Sequence, residues 1–429
     1  MKKRNVFCIL LLTALLLSGC MKTVDELYCL PKRSQAVNDL QPVIDEAMRG
    51  LEYSAPQSGD NRQVVQTADL DGDGMDEYLL FAKDSSEKPL KILIFCQLAS
   101  GYVLMDTIEG FGFSFDFVTY RQVDGRPGVE IVVGRLVSEE VVRSVSVYRF
   151  SSGIARHLLT TGYSRMLAAD ADGDGLSELY LLNQSATENG TGNLSVYTYR
   201  DEQLHRVSEM PLSCAADDYK QIICGVLQDG TKAIYVTCAS GGTLITDVFA
   251  TIDGKIAAVA TQIQTGMLND YYVFPEDLDR DGVLEIPRLQ PIMSAEDQEQ
   301  AVVVWYSLDA QGQETVKMHT YHNYQYNWYL KISQEHLGII HAQRSGSSCV
   351  FSFYDAETQM LEPVCTIMTL VDADRGDLAI QPGRVVLFST ETTIYVAELT
   401  DAAAKYGITS ANLPDRFSTI RMDLTNEEE

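Results

Sequence analysis

The chain has 429 residues, 45% of them hydrophobic, enough to bury one large core or several smaller ones. Its 60 acidic side chains against 33 basic ones give a formal charge of -27, a surface that repels nucleic acid and anionic lipid headgroups and suits the uptake of divalent cations. Nine cysteines without a single CxxC pair argue against a zinc ribbon or a dithiol redox centre.

The chain opens on Met1-Lys2-Lys3-Arg4, continues through a 12-residue apolar run over residues 6–17, and reaches Leu17-Ser18-Gly19-Cys20. Twelve apolar residues fall well short of the roughly 20 that cross a bilayer as a helix. The order of basic patch, short apolar run and small residues before a cysteine resembles a bacterial lipoprotein signal. The resemblance implies removal of residues 1–19, lipidation of Cys20, and a body held outside the cytoplasmic membrane by a lipid anchor. Cleavage there leaves 30 basic against 60 acidic side chains. Residues 20–50 are then a tether and one amphipathic helix: Val37, Leu40, Val43, Ile44, Ala47 and Met48 recur at three- and four-residue steps, Ser34 offers a cap, and Gly50 a stop.

Beyond residue 50 the pattern changes to short β-rich runs between turn residues, such as 91–96, 143–148 and 301–306. Three segments share one form: Asp69-Leu-Asp71-Gly-Asp73-Gly-Met75-Asp-Glu77, Asp170-Ala-Asp172-Gly-Asp174-Gly-Leu176-Ser-Glu178 and Asp277-Leu-Asp279-Arg-Asp281-Gly-Val283-Leu-Glu285. Weaker copies start at Gln122, keeping Asp124 and Glu130, and at Gly225, keeping Asp229 and Gly230. The starts at 69, 122, 170, 225 and 277 are spaced by 53, 48, 55 and 52 residues, so five units run in phase. The first unit divides into four strands, at 63–68, 77–83, 91–97 and 102–108, which is the size of a propeller blade. The expected fold is therefore all-β, a β-propeller over residues 51–400 with about seven four-stranded blades, six being the alternative. Residues 401–429 read as a C-terminal helical tail, with short helices at 401–406 and 414–420.

Carboxylates at positions one, three and five of a tight loop converge on one point, which position nine reaches from the outgoing strand. Hard oxygen donors at that density select calcium. The expected side-chain ligands are Asp69, Asp71, Asp73 and Glu77, then Asp170, Asp172, Asp174 and Glu178, then Asp277, Asp279, Asp281 and Glu285, with the carbonyls of Met75, Leu176 and Val283 as further donors. The glycine at position six permits the left-handed bend around the ion. An EF-hand would need a carboxylate at position 12, where Leu80, Leu181 and Arg288 stand. The three loops resemble the FG-GAP and VCBS-like repeats of integrin-α-type propellers, in which a calcium loop joins the first two strands of a blade. The resemblance covers most of residues 51–320, with Phe111-Gly112 matching the Phe-Gly element and no Gly-Ala-Pro element present. It implies calcium in three loops and none at Asp124 or Asp229.

Signs of catalysis are lacking, since the six histidines form no His-Glu-x-x-His and stand beside no nucleophile elbow. The alternation of Tyr324, Tyr326 and Trp328 in a strand would place all three on one face, a candidate stacking platform for a sugar or a partner. Cys349 and Cys365 flank an expected hairpin turn at 355–358 and are candidates for a bridge. The resulting expectation is a non-catalytic, calcium-binding envelope lipoprotein, a scaffold for an envelope protein or glycan partner. The alternative is a polysaccharide-active enzyme with its site in the propeller channel.

Overall fold

The computed structural model describes residues 35–137, 142–184, 190–268, 271–292 and 300–420. The signal segment, Cys20, Cys29, the Ser34 cap and the tail beyond residue 420 lie outside the described residues.

The expected helix forms as α1 (Gln35–Ala47). Leu40, Val43, Ile44, Ala47 and Met48 line its apolar stripe, and it buries that stripe against Leu80, Ala82, Leu93, Phe95 and Tyr102. Among the described residues the rest is predominantly strand, arranged as six antiparallel sheets in chain order. The first holds Glu52–Tyr53, Val65–Ala68, Glu77–Lys83, Leu90–Leu98 and Gly101–Gly110; the second, Ser114–Arg121, Glu130–Leu136, Arg143–Ser151 and Ile154–Tyr163. The third holds Arg165–Ala169, Glu178–Gln184, Gly192–Arg200 and Gln203–Pro211. The fourth runs from Tyr219–Val226 through Lys232–Ser240, Thr243–Ile252 and Lys255–Leu268 to Tyr271–Tyr272.

Alternation along each inner strand explains how these sheets stack. In Glu77–Lys83, Leu79 and Phe81 face Ile131 and Val133 of the second sheet, while Leu80 and Ala82 face α1. Val132 points the other way, against Leu179 and Leu181 of the third sheet, whose Tyr180 and Leu182 meet Ile234 and Val236 of the fourth. Tyr235 in turn meets Ile286 and Tyr306 of the fifth. Each of the second to fifth sheets is thus buried on both faces, by its predecessor and its successor. Among the described residues no apolar cluster joins the sixth sheet to the first, whose outer face is taken by α1.

Six sheets stand where about seven were expected, because the last two depart from the 50-residue unit. The fifth holds Ile286–Pro291, Ala301–Leu308, Glu314–Asn323 and Trp328–Lys331, and adds Phe417–Thr419 from the far end of the chain. The sixth holds Ile340–Ser345, Ser348–Asp355, Met360–Leu370, Arg384–Ser389 and Ile394–Leu399. The tail is accordingly only partly helical: a 3-10 helix at Asp401–Tyr406 and one turn at Leu413–Arg416 precede that added strand.

Among the described residues the bridge formed is Cys214–Cys238, not Cys349–Cys365. Cys349 pairs across the strands with Ile367, and Cys365 with Phe351, so the two thiols stand two residues out of register. Both are buried as small apolar side chains between the fifth and sixth sheets. Cys214 precedes the first strand of the fourth sheet and Cys238 lies on its second, so their bond fastens the entry of that sheet to its interior.

Candidate metal loops

The first two acidic loops join the strand that precedes them to the next strand of the same sheet, and the third, flanked by a single Glu276–Glu285 bridge, leads into the first strand of the fifth sheet; in all three the aspartates organise the backbone first. At position one, Asp69 accepts from the Gly72 N–H (2.8 Å) and the Gly74 N–H (3.1 Å), and Asp170 from the corresponding Gly173 (2.7 Å) and Gly175 (3.2 Å). Asp277 accepts from Asp281 (3.1 Å) and Gly282 (3.0 Å). Position three accepts from the N–H of position five: Asp71 at 3.2 Å, Asp172 at 3.1 Å and Asp279 at 3.1 Å. These are Asx turns, which wind the chain round its own carboxylates. The sixth-position glycines take φ of 87°, 91° and 89°, the left-handed conformation that a side chain disfavours.

The glutamate at position nine closes the loop. Its Oε2 accepts from the N–H of position two: Glu77 from Leu70 (2.9 Å), Glu178 from Ala171 (3.2 Å) and Glu285 from Leu278 (2.9 Å). All three glutamates are buried. Burial, opposed by that backbone N–H and reinforced by neighbouring aspartates, pushes the carboxyls of Glu77, Glu178 and Glu285 up to about 7.

Among the described residues three sets of carboxylates each bring their oxygens within 4.8 Å of one another: Asp69, Asp71 and Glu77; Asp170, Asp172 and Glu178; Asp277, Asp279, Asp281 and Glu285. Asp73 and Asp174 stand apart from these sets and accept from the Met75 and Leu176 N–H groups at 2.7 Å, as Asp281 does from Val283 at 2.8 Å. An all-oxygen set of three or four carboxylates fits a hard cation. Glu285 fits it best, because its Oε1 is buried without a hydrogen-bond partner among the described residues and belongs to the four-carboxylate set. Lysines reach two of the sets from the exposed side: Lys232 Nζ bonds Asp170 at 2.8 Å and Lys317 Nζ bonds Asp281 at 2.6 Å.

The loops also touch one another. A Cβ on Gly128 would stand 2.2 Å from the Leu70 carbonyl oxygen, so the second loop lies directly against the first. Ser177 donates to the Gln122 carbonyl at 2.7 Å, and Leu284 to that of Val226 at 3.0 Å. A cation held in a loop therefore also bears on the joint between two sheets.

The weaker copies are built differently. Glu130 keeps the closing bond, to Val123 at 2.7 Å, but Asp124 is bonded by Arg149. Asp229 accepts from the Ala310 N–H at 3.0 Å, tying the fourth loop to the fifth sheet.

The aromatic platform is not formed. Tyr324–Tyr326 is a 3-10 turn, and Trp328 is buried between the fifth and sixth sheets. The alternation was a property of the sequence alone, broken by Asn327 in the left-handed region at φ 56°. Of these three, Tyr324 instead stacks on Tyr271 and on the buried His322, with ring centres 5.1 and 5.3 Å apart.

No family model matches the chain, and no curated protein matches it in sequence. Among solved structures it is similar to a protein from Lactobacillus plantarum at 10% identity, covering 72% of this chain and 85% of that one, with a TM-score of 0.29. An exotype rhamnogalacturonan lyase is similar at 13% identity, covering 73% of this chain and 65% of that one, with a TM-score of 0.30. The chain thus spans under two thirds of the lyase.

Proposed function

We propose that the chain is a non-catalytic, calcium-stapled β-propeller of six blades, displayed on the cell envelope by a lipid on Cys20 and presenting a surface to an envelope partner. The gathered carboxylates with the orphaned Glu285 Oε1 carry the calcium part of this reading. Calcium rather than magnesium follows from the donors, all carboxylates in loops wound by their own hydrogen bonds, whereas magnesium retains several of its waters. The Cys214–Cys238 bridge supports a location outside the reducing cytoplasm. For the partner surface, exposed Phe111, Phe113, Val137 and Val142 lie at the end of the first two sheets opposite the acidic loops, where apolar side chains gain little unless something covers them.

Calcium that binds only the folded loops stabilises by linkage, about 2.7 kcal/mol per independent site at a hundredfold excess over Kd. Thermal melts in calcium and in chelator should separate; melts that coincide would remove the calcium reading. Cys20→Ser should release the protein from membranes into the soluble fraction. Retention of that variant with membranes would remove the anchor.

A further inference from the structure

In the first five sheets, the register between the strand that follows the loop and its next hairpin partner singles out one position. Tyr78 pairs with Phe95, Ile131 with Tyr148, Leu179 with Tyr197, Ile234 with Phe249 and Ile286 with Tyr306. An aromatic thus stands opposite the residue that follows loop position nine, and the next residue along its strand stands opposite position nine itself. That residue is Cys96, Thr198 and Ser307 in the three sheets with acidic loops, small and uncharged, and Ala250 in the fourth, whose loop has no glutamate. In the second sheet it is Arg149.

Arg149 reaches into its loop. Its Nη1 bonds Asp124 at position three and lies 4.0 Å from Glu130 Oε1 at position nine. These are the same two positions whose carboxylates gather in all three acidic loops. The Asp124 and Glu130 side chains are 0% and 3% exposed, and two carboxylates at that depth stay ionised together only beside a compensating charge. Lys232 and Lys317 differ in kind, since each pairs with a single, partly exposed aspartate at the rim rather than with the buried glutamate.

We propose that the Arg149 guanidinium takes the place of the metal ion in the second loop, and that the side chain opposite position nine selects, sheet by sheet, between an external and a built-in cation. The metal half of this statement rests on the calcium reading above; the arginine half does not. The second loop is then a permanent joint between the first and third sheets, while its neighbours depend on the ion.

Amide hydrogen exchange on the full chain, read over 69–77, 122–130, 170–178 and 277–285 in calcium and in chelator, tests both halves. In the wild type, chelation should cut protection of the three acidic loops by about tenfold or more and leave 122–130 unchanged. Arg149→Thr, carrying the third sheet's residue, should lose protection at 122–130 in chelator, whereas Arg149→Lys should keep most of it. Adding Gln122→Asp and Arg126→Asp to Arg149→Thr should raise the calorimetric calcium count by one. The proposal is overturned if chelation exposes 122–130 in the wild type as it does the other loops, if Arg149→Thr leaves that segment protected, or if the triple variant gains no ion. If the acidic loops ignore the chelator while Arg149→Thr still exposes 122–130, the calcium reading fails and the arginine half stands.

Discussion

The joints among the first three sheets and the joint between the fifth and sixth solve one problem by different chemistry. Among the first three, apolar clusters are supplemented at one rim by acidic loops that touch across the sheet boundaries. Between the fifth and sixth, Trp328 packs with Tyr321, Phe351 and Phe417 at ring separations of 6.1, 6.3 and 5.8 Å, and the Phe417–Thr419 strand returns from the end of the chain to the fifth sheet's edge. The first arrangement gathers like charges and, on the proposed reading, would gain strength from a bound cation. The second is complete in itself. On that reading one molecule would contain joints that respond to the ionic surroundings and a joint that ignores them.

The sharpest way to break the second kind is Trp328→Ala, which empties a buried indole site and should cost about 3–5 kcal/mol in calcium and chelator alike. Trp328→Phe should cost far less, because the indole N–H has no hydrogen-bond partner among the described residues to forfeit. Equilibrium unfolding followed by tryptophan-independent circular dichroism measures both; a loss that calcium restores would contradict the division. Next in size is the Cys214–Cys238 bridge, which closes a 24-residue separation and should contribute about 3 kcal/mol through the unfolded chain. Cys238→Ser should lower stability by that amount in either buffer, and an unchanged midpoint would show that the bond is not formed in the folded protein.

A subtler test uses pH. In the cation-free fold Glu77, Glu178 and Glu285 titrate near 7 rather than at their ordinary 4.5. Between those values the native chain holds protons that the unfolded chain has released, so cation-free stability falls as pH rises through the window. Calcium competes with those protons, so its stabilising effect should grow over the same window and level off above about pH 7. Melting temperatures with and without calcium at several pH values check this, and a calcium effect that shrinks from pH 5 to pH 7 would contradict it.

The loops were legible because the acidic motif repeats both residue type and spacing, and a motif repeated in phase marks the strands on either side. The strands of the first sheet fell almost where expected for that reason. The sheet count was less legible, since Phe417–Thr419 joins strands nearly 90 positions earlier, a pairing that no local pattern encodes. Tyr324, Tyr326 and Trp328 misled because alternation cannot distinguish a strand from a 3-10 turn, and the turn was signalled only by Asn327. Cysteine positions likewise do not dictate connectivity. Arg149 was missed as a site residue although a signal existed: a charged side chain between Tyr148 and Phe150, in a strand otherwise buried, opposite a loop that had lost its first and fifth acids.

The count of bound calcium ions tests the central claim most directly. Calorimetric titration of the chelator-stripped protein should give three ions for the wild type and for Asp124→Ala, and two for each of Asp71→Ala, Asp172→Ala and Asp279→Ala, one gathered set of carboxylates being lost in each. A wild-type count of zero, or a count unchanged by those three substitutions, would contradict the account.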